Sequence, residues 1–419
     1  MKYLAPSLFL LSAFTSLSAM ADPVATTNMP APTPGTFEYA ILNGTPVLDM
    51  RYRYEFVDQK GIRNDANAST LRTRLGYTTG VYDDFKAGLE FENNSAVGSE
   101  EYNDTINHKT NYATVADPKS TSVYQAFLTY QGIKDTDVNI GRQVVNLDDQ
   151  RFIGNSDWRQ NAQTFDLVGF NTSIIPHANL FYAFVDKVNR VYGVDSPVGD
   201  FHSNSHLINA SYEFAPVLKI VGYTYLLDFN DAKTLSTATY GSRWTGKTAV
   251  PMADDFQFSY AIEAAHQRNY DQNPLSISEN YYLIEPAITA YSVTGKFGYE
   301  VLGGNGVTSF QTPLDSTHPF NGWATMFATI PVDGLHDIYG SLSYKVPFGD
   351  ECLKGTEFTA VYHDFTADHT STNYGTEWDG MITQTFHKHY TVGLEAADYH
   401  SDHFATDTTK FWAWLSIKY

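Results

Sequence analysis

From Val47 onward the chain alternates between apolar and polar positions. Leu48, Met50, Tyr52, Tyr54 and Phe56 share one side of an extended segment, and Asp49, Arg51, Arg53 and Glu55 share the other. Leu71, Leu75 and Tyr77 then oppose Arg72 and Arg74, and Ala87, Leu89 and Phe91 oppose Lys86, Glu90 and Glu92. The pattern continues through Phe256–Ile262 and Phe297–Val301. It ends with Phe411, Ala413, Leu415 and Ile417 set against Trp412, Trp414 and Ser416. Period-two alternation predicts strands, and about 18 segments of roughly ten residues match the length a tilted strand needs to cross a bilayer.

The connections alternate too. Short ones are predicted at 82–84, 132–135, 176–177, 215–216, 251–254, 290–292, 347–355 and 386–388. Long ones are predicted at 58–69, 96–120, 146–161, 187–204, 228–234, 268–279, 303–334, 368–375 and 400–408. Short turns on one rim and long loops on the other are the arrangement of an up-and-down transmembrane barrel with periplasmic turns and external loops. The expected fold is therefore all-β, a transmembrane antiparallel barrel of about 18 strands.

Residues 1–21 carry Lys2, an apolar run around Leu8–Phe14 and the small-residue stretch Ala19-Met20-Ala21, the pattern of a cleaved secretory signal. Residues 22–44 read as a flexible periplasmic leader, and 45–419 as a single outer-membrane barrel domain of a Gram-negative bacterium, exported through the periplasm. Outer-membrane lipid, lipopolysaccharide and the barrel assembly machinery are then its expected partners. The aromatic carboxy-terminal strand ending at Tyr419 fits recognition by that machinery. With Cys352 as its only cysteine the chain forms no internal disulfide.

Placing Arg or Lys against lipid near the bilayer midplane costs about 2–4 kcal/mol, so Arg51, Arg53, Arg72, Arg74, Lys86 and Lys296 are expected to face the lumen. The formal charge of -20 argues against a nucleic-acid partner. Against that acidic background Arg51, Arg53, Arg72 and Arg74 form a basic cluster. Paired with Asp49, Glu55, Glu90 and Glu92 it braces the wall; left unpaired it attracts anions. Together with Arg142, Arg151, Arg159 and Lys296 it is the expected solute path.

The stretch 139–166 combines charge with Phe152, Ile153 and Trp158, and reads as a folded external loop. Asp148 and Asp149 are expected to pair there with Arg151 and Arg159, while Phe152 and Trp158 pin the loop to the barrel. The 303–334 connection is the longest and most apolar, too apolar to stay in water, and is expected to fold into the lumen as a constriction with Phe310, Phe320 and Trp323.

Candidate chemistry is sparse. His363 with Asp364, His387 with His389, and His400 with Asp402 and His403 lack metal-site spacing and read as solvated turn residues. No nucleophile elbow or phosphate loop is present, so neither an enzyme nor a cofactor is expected.

Several runs resemble the alginate export family of outer-membrane barrels: Gly141-Arg142-Gln143 with LDDQRFIG (147–154) and WRQN-x-x-TFD (158–166), YEVLGGNG (299–306), FQTPLDSTHPFNGW (310–323) and VYHDFTADHTSTNYGTEWD (361–379). The resemblance spans about Arg51 to Tyr419. It implies an 18-stranded barrel whose arginine-rich lumen conducts an anionic polysaccharide outward. At 322–327 this chain reads GWATMF where the family pattern has GWADKF, losing an acid and a base together.

The leading expectation is a passive outer-membrane channel for anionic solutes, an alginate-like polysaccharide above all. The alternative is a substrate-specific uptake porin for small organic acids or aromatic compounds, with Trp412, Trp414 and Tyr339 facing the lumen. A third is a plugged barrel acting as an enzyme or adhesin.

Overall fold

The computed structural model describes residues 32–250 and 253–419. Among them are eighteen strands: β1 Thr45–Gln59, β2 Ala66–Thr78, β3 Phe85–Glu101, β4 Ser120–Ile133, β5 Thr136–Gln143, β6 Thr164–Thr172, β7 Ala178–Asn189, β8 Asp200–Ala215 and β9 Leu218–Leu227. The second half comprises β10 Thr237–Val250, β11 Ala253–Asn269, β12 Ser278–Ala290, β13 Val293–Leu302, β14 Leu335–Lys345, β15 Glu357–Thr366, β16 Asn373–Phe386, β17 Tyr390–Ser401 and β18 Thr408–Lys418.

Each strand pairs antiparallel with its neighbours in sequence, and β1 also pairs with β18, so the sheet closes. Tyr52 lies opposite Leu71 on one side and Leu415 on the other, which keeps the outward apolar register continuous across the seam. Closure pairs the backbone groups that an open edge would leave bare in lipid, where nothing else can satisfy them.

The side-chain alternation sorts as the sequence predicts. Leu75, Ile284, Leu342 and Trp378 point outward and remain more than half exposed at 55%, 54%, 58% and 60%. Arg51, Arg53, Arg72 and Arg74 point inward and are buried. Inward positions are not uniformly polar, however. Leu207, Val221, Tyr223, Tyr225, Tyr281 and Leu283 form an apolar wall inside β8, β9 and β12, and Phe152, Phe310, Leu314 and Phe327 join it from loops. The apolar core therefore lies inside the barrel, where two loops meet the wall.

The rhythm of connections is as expected. Short turns such as Tyr291–Ser292, both at positive φ (50° and 69°), alternate with long loops. The predicted turn at 251–254 and the signal and early leader up to residue 31 fall on or overlap residues outside those described. The later leader is ordered: α1, Phe37–Leu42, is capped by Thr36, whose Oγ1 accepts from Tyr39 N at 3.2 Å. Gly80 N donates to Ala40 O at 2.8 Å, tying the helix to the short-turn rim.

Candidate functional site

Two loops enter the lumen. The first, residues 144–163 between β5 and β6, is carried in by its apolar side chains. Phe152 packs on Tyr223, Tyr281 and Phe310 with centroids 5.4, 5.1 and 5.8 Å away. Trp158 stacks on His318 at 4.0 Å and meets Trp412 and Trp414 edge-on at 5.6 and 5.5 Å. The second, residues 303–334 between β13 and β14, lies against the first. Gly154 N donates to Leu314 O (2.9 Å), Ser156 Oγ to Asp315 O (2.8 Å) and Gln163 Nε2 to Leu314 O (3.1 Å).

Arg151 rivets this seam. Its guanidinium reaches Glu300 Oε1 at 2.7 Å, Asp315 Oδ2 at 3.1 Å and Asn321 Oδ1 at 2.8 Å, and lies 4.8 Å from the Phe320 ring.

Opposite walls hold the two loops by opposite charge. The basic wall of β1 and β2 grips the first loop through its acceptors. Arg51 Nη2 donates to Arg159 O (2.7 Å) and Trp158 O (3.0 Å), and Arg53 donates to Trp158 O and pairs with Asp117 of the β3–β4 connection, which accepts from Gln160 N at 2.7 Å. Arg72 and Arg74 both hold Asp157 Oδ1 at 2.8 Å while also engaging Asp49 (3.0 Å) and Glu92 (2.6 Å) respectively. Burial pushes the Asp157 carboxyl up, but Arg72, Arg74 and Arg51 outweigh it and hold the group well below its ordinary range.

The acidic wall, Glu300, Asp337, Glu377, Asp379 and Glu395 on β13 to β17, grips the second loop through its donors. Ala324 N donates to Glu377 Oε1 (2.6 Å), Trp323 N to Asp379 Oδ2 (3.4 Å), and Asn321 Nδ2 to Glu300 Oε2 (2.6 Å) and Asp337 Oδ2 (3.1 Å). Gly322 is at φ +84°, and a Cβ there would stand 2.5 Å from the Glu377 carboxylate. Only glycine lets the backbone approach so closely. His318 Nε2 and Glu395 Oε1 are hydrogen-bonded at 2.8 Å. Burial, together with Arg159, Lys410 and Arg53, pushes the His318 imidazole well below its ordinary value, so it serves as a neutral ring.

Two cavities flank the seam. The outer one, about 420 Å³ on the long-loop side, is lined by Trp158, Arg159, Arg190, Tyr192, Asp315, His318, Met326 and Lys410 among others. The inner one, about 530 Å³, is lined by Asp149, Arg243, Tyr281, Glu285, Lys296, Phe320, Asn321, Trp323, Tyr339 and His363 among others. Residues 315–326 of the second loop contribute to both.

Of the residues singled out from sequence, Arg159 faces the outer cavity, and Lys296, Phe320 and Trp323 face the inner one. Arg51, Arg53, Arg72, Arg74 and Arg151 are buried against the loops and line neither. Phe310 is packed into the lumen core. Arg142, at the root of the first loop, is clasped by Asp166 at 2.7 Å.

Three expectations are corrected. Asp148 and Asp149 do not pair with Arg151 and Arg159: Asn209 donates to Asp148 at 2.7 Å, and Arg243 holds Asp149 at 2.8 Å. Because the loop turns inward, the barrel wall supplies its counter-charges. Glu90 does not join the basic cluster but accepts from Gln125 at 2.9 Å. His363 is no solvated turn residue. It is buried on β15, with Nδ1 2.9 Å from Asp337 and Nε2 3.5 Å from Asp379. A further His/carboxylate group, Asp200, His202 and Asp231, is drawn together in the outer loops, although Lys187 already pairs with Asp200.

The acidic wall went unnoticed in the sequence. Its trace is there: carboxylates alternating with outward Trp378, Ile338 and Leu394 inside bilayer-length strands.

A family model described as alginate export matches residues 46–275. The chain belongs to the alginate export family. This family member also superposes on solved barrels. OccK1 (OpdK) of Pseudomonas aeruginosa gives a TM-score of 0.70 at 15% identity, covering 90% of this chain and 99% of that one. OpdK crystallised with vanillate gives 0.71 at 14%, covering 90% and 99%, and OccAB2 of Acinetobacter baumannii gives 0.70 at 15%, covering 91% and 99%. At such identities the likeness is one of fold. No curated protein matches the chain. The alginate export family member is thus an outer-membrane barrel of the porin architecture.

Proposed function

We propose that this barrel is a passive channel for small organic acids, aromatic acids among them, with the direction of flow set by the gradient. The observation that carries this reading is the pair of loops meeting across the lumen, with cavities of about 420 and 530 Å³ on the two sides of their seam. Such volumes suit a small solute. Most of the lumen arginines are already matched by carboxylates or loop carbonyls, so attraction is left to a few sites, as conduction with release requires. The vanillate bound to OpdK, a single-ring carboxylate, is of the same chemical class.

The second reading, outward passage of an alginate-like polymer, is favoured by family membership and by the basic wall. It requires both loops to leave the lumen. Proteoliposomes separate the two. The small-acid reading expects entry of vanillate and glucuronate and exclusion of uronate octamers. Octamer passage at a comparable rate, or exclusion of both acids, would overturn it.

A further inference from the structure

Two cations on the outer cavity, Lys410 and Arg190, form no ion pair among the described residues. Lys410 points inward from β18, and its cross-strand neighbours are Val57 on β1 and Ala397 on β17, both apolar. Among the described residues it has no carboxylate partner. Glu55, one inward position below Val57, is taken up by Arg53 at 3.4 Å and Arg159 at 3.3 Å.

Arg190, from the β7–β8 loop, also lacks a carboxylate partner among the described residues. Its guanidinium lies over Phe201 and Tyr192 at 4.1 and 4.7 Å, and Nη1 donates to Val198 O at 3.1 Å. Asp315, the acid on the cavity lining, is engaged by Arg151 (3.1 Å), Thr312 (2.8 Å) and Thr317 (2.7 Å). Beside these cations Trp158 and His318, their rings stacked 4.0 Å apart, line the cavity with aromatic edges.

We propose that the outer cavity is a binding site for a ring-bearing monocarboxylate, with Arg190 and Lys410 taking the carboxylate and the Trp158–His318 stack taking the ring. A half-buried cation between apolar neighbours is costly until an anion meets it, and the planar guanidinium of Arg190 suits a carboxylate. The site acts as a capture point above the seam and selects charge before size. The proposal rests on the small-acid reading and names the ligand chemistry of its entrance.

The test uses the full chain in detergent micelles, with benzoate, and benzyl alcohol as its neutral counterpart, followed by calorimetry and tryptophan fluorescence. Lys410→Gln is expected to weaken benzoate binding about fivefold, and Lys410→Gln with Arg190→Gln at least thirtyfold. Benzyl alcohol binding stays unchanged, and Arg190→Lys retains most of the benzoate affinity. The Lys410 side chain makes no hydrogen bond among the described residues, so its single variant stays informative if the double variant does not fold. Benzoate affinity within twofold of the parent in Lys410→Gln overturns the site. If the parent passes benzoate through proteoliposomes while that variant binds it unchanged, the site fails and the channel reading stands. If the parent neither passes nor binds benzoate, both fail.

Discussion

Arg151→Ala is expected to raise single-channel conductance several-fold while the barrel itself stays folded. The side chain is 2% exposed and holds Glu300, Asp315 and Asn321 at once, so it joins the two loops to each other and the first loop to the acidic wall at β13. Removing one member of a buried ion pair typically costs about 3–5 kcal/mol, because the partner is left charged and unmatched. Here Glu300 and Asp315 are both stranded in the seam. The strand ladder does not pass through Arg151, so the cost falls on the loops. Planar-bilayer recording gives the conductance, and amide exchange over 303–334 gives the loop seating. Conductance equal to the parent's, with unchanged exchange, would show that the seam is held elsewhere.

Arg72→Ser with Arg74→Ser is expected to unseat the first loop as well as to lower anion preference. The two guanidiniums share Asp157 and separately engage Asp49 and Glu92, so the double change leaves three carboxylates without their main partners. A role confined to attracting solute predicts a change in selectivity alone. Loss of exchange protection over 155–160 is the reading that separates them. The parent's pH response follows from the same contact. A carboxyl held below its ordinary value stabilises the folded form fully above that value, and the contribution is lost only as pH falls through the depressed one. Asp157 ordinarily titrates near 3.8, so its contact with Arg72 and Arg74 is expected to hold unchanged from pH 7 to about pH 4. In the double variant burial acts on Asp157 without Arg72 and Arg74, and conductance is expected to become acid-sensitive within that range. Loss of exchange protection over 155–160 in the parent between pH 7 and pH 5 would rule out this contact.

The barrel was legible because its physics is local. Alternation in β1, β2 and β18 follows from lipid on one face and a closed wall on the other, and each strand repeats the message independently. The inward turn of 303–334 was legible too, since Phe310, Phe320, Trp323 and Phe327 are too apolar for water. The partners of Arg151 were not. Glu300, Asp315 and Asn321 are more than a hundred residues away in sequence, and a guanidinium in a charged loop accepts the nearest Asp or Glu equally well on paper. The same holds for Lys410, whose isolation depends on Val57 and Ala397 standing beside it across two strand pairings.

Residue order alone thus decided the strand count, the sidedness of each strand, the rhythm of turns and loops and the inward fate of the most apolar loop, because hydrophobic transfer acts residue by residue. Only the folded chain decided which charges meet. It set a basic wall on β1 and β2 against an acidic wall on β13 to β17, held the first loop to the basic wall and the second to the acidic one with Arg151 bridging them at Glu300, and left Arg190 and Lys410 without an ion-pair partner among the described residues. Ion pairing depends on distances of a few ångströms between strands far apart in sequence, and closure of the barrel is what sets those distances.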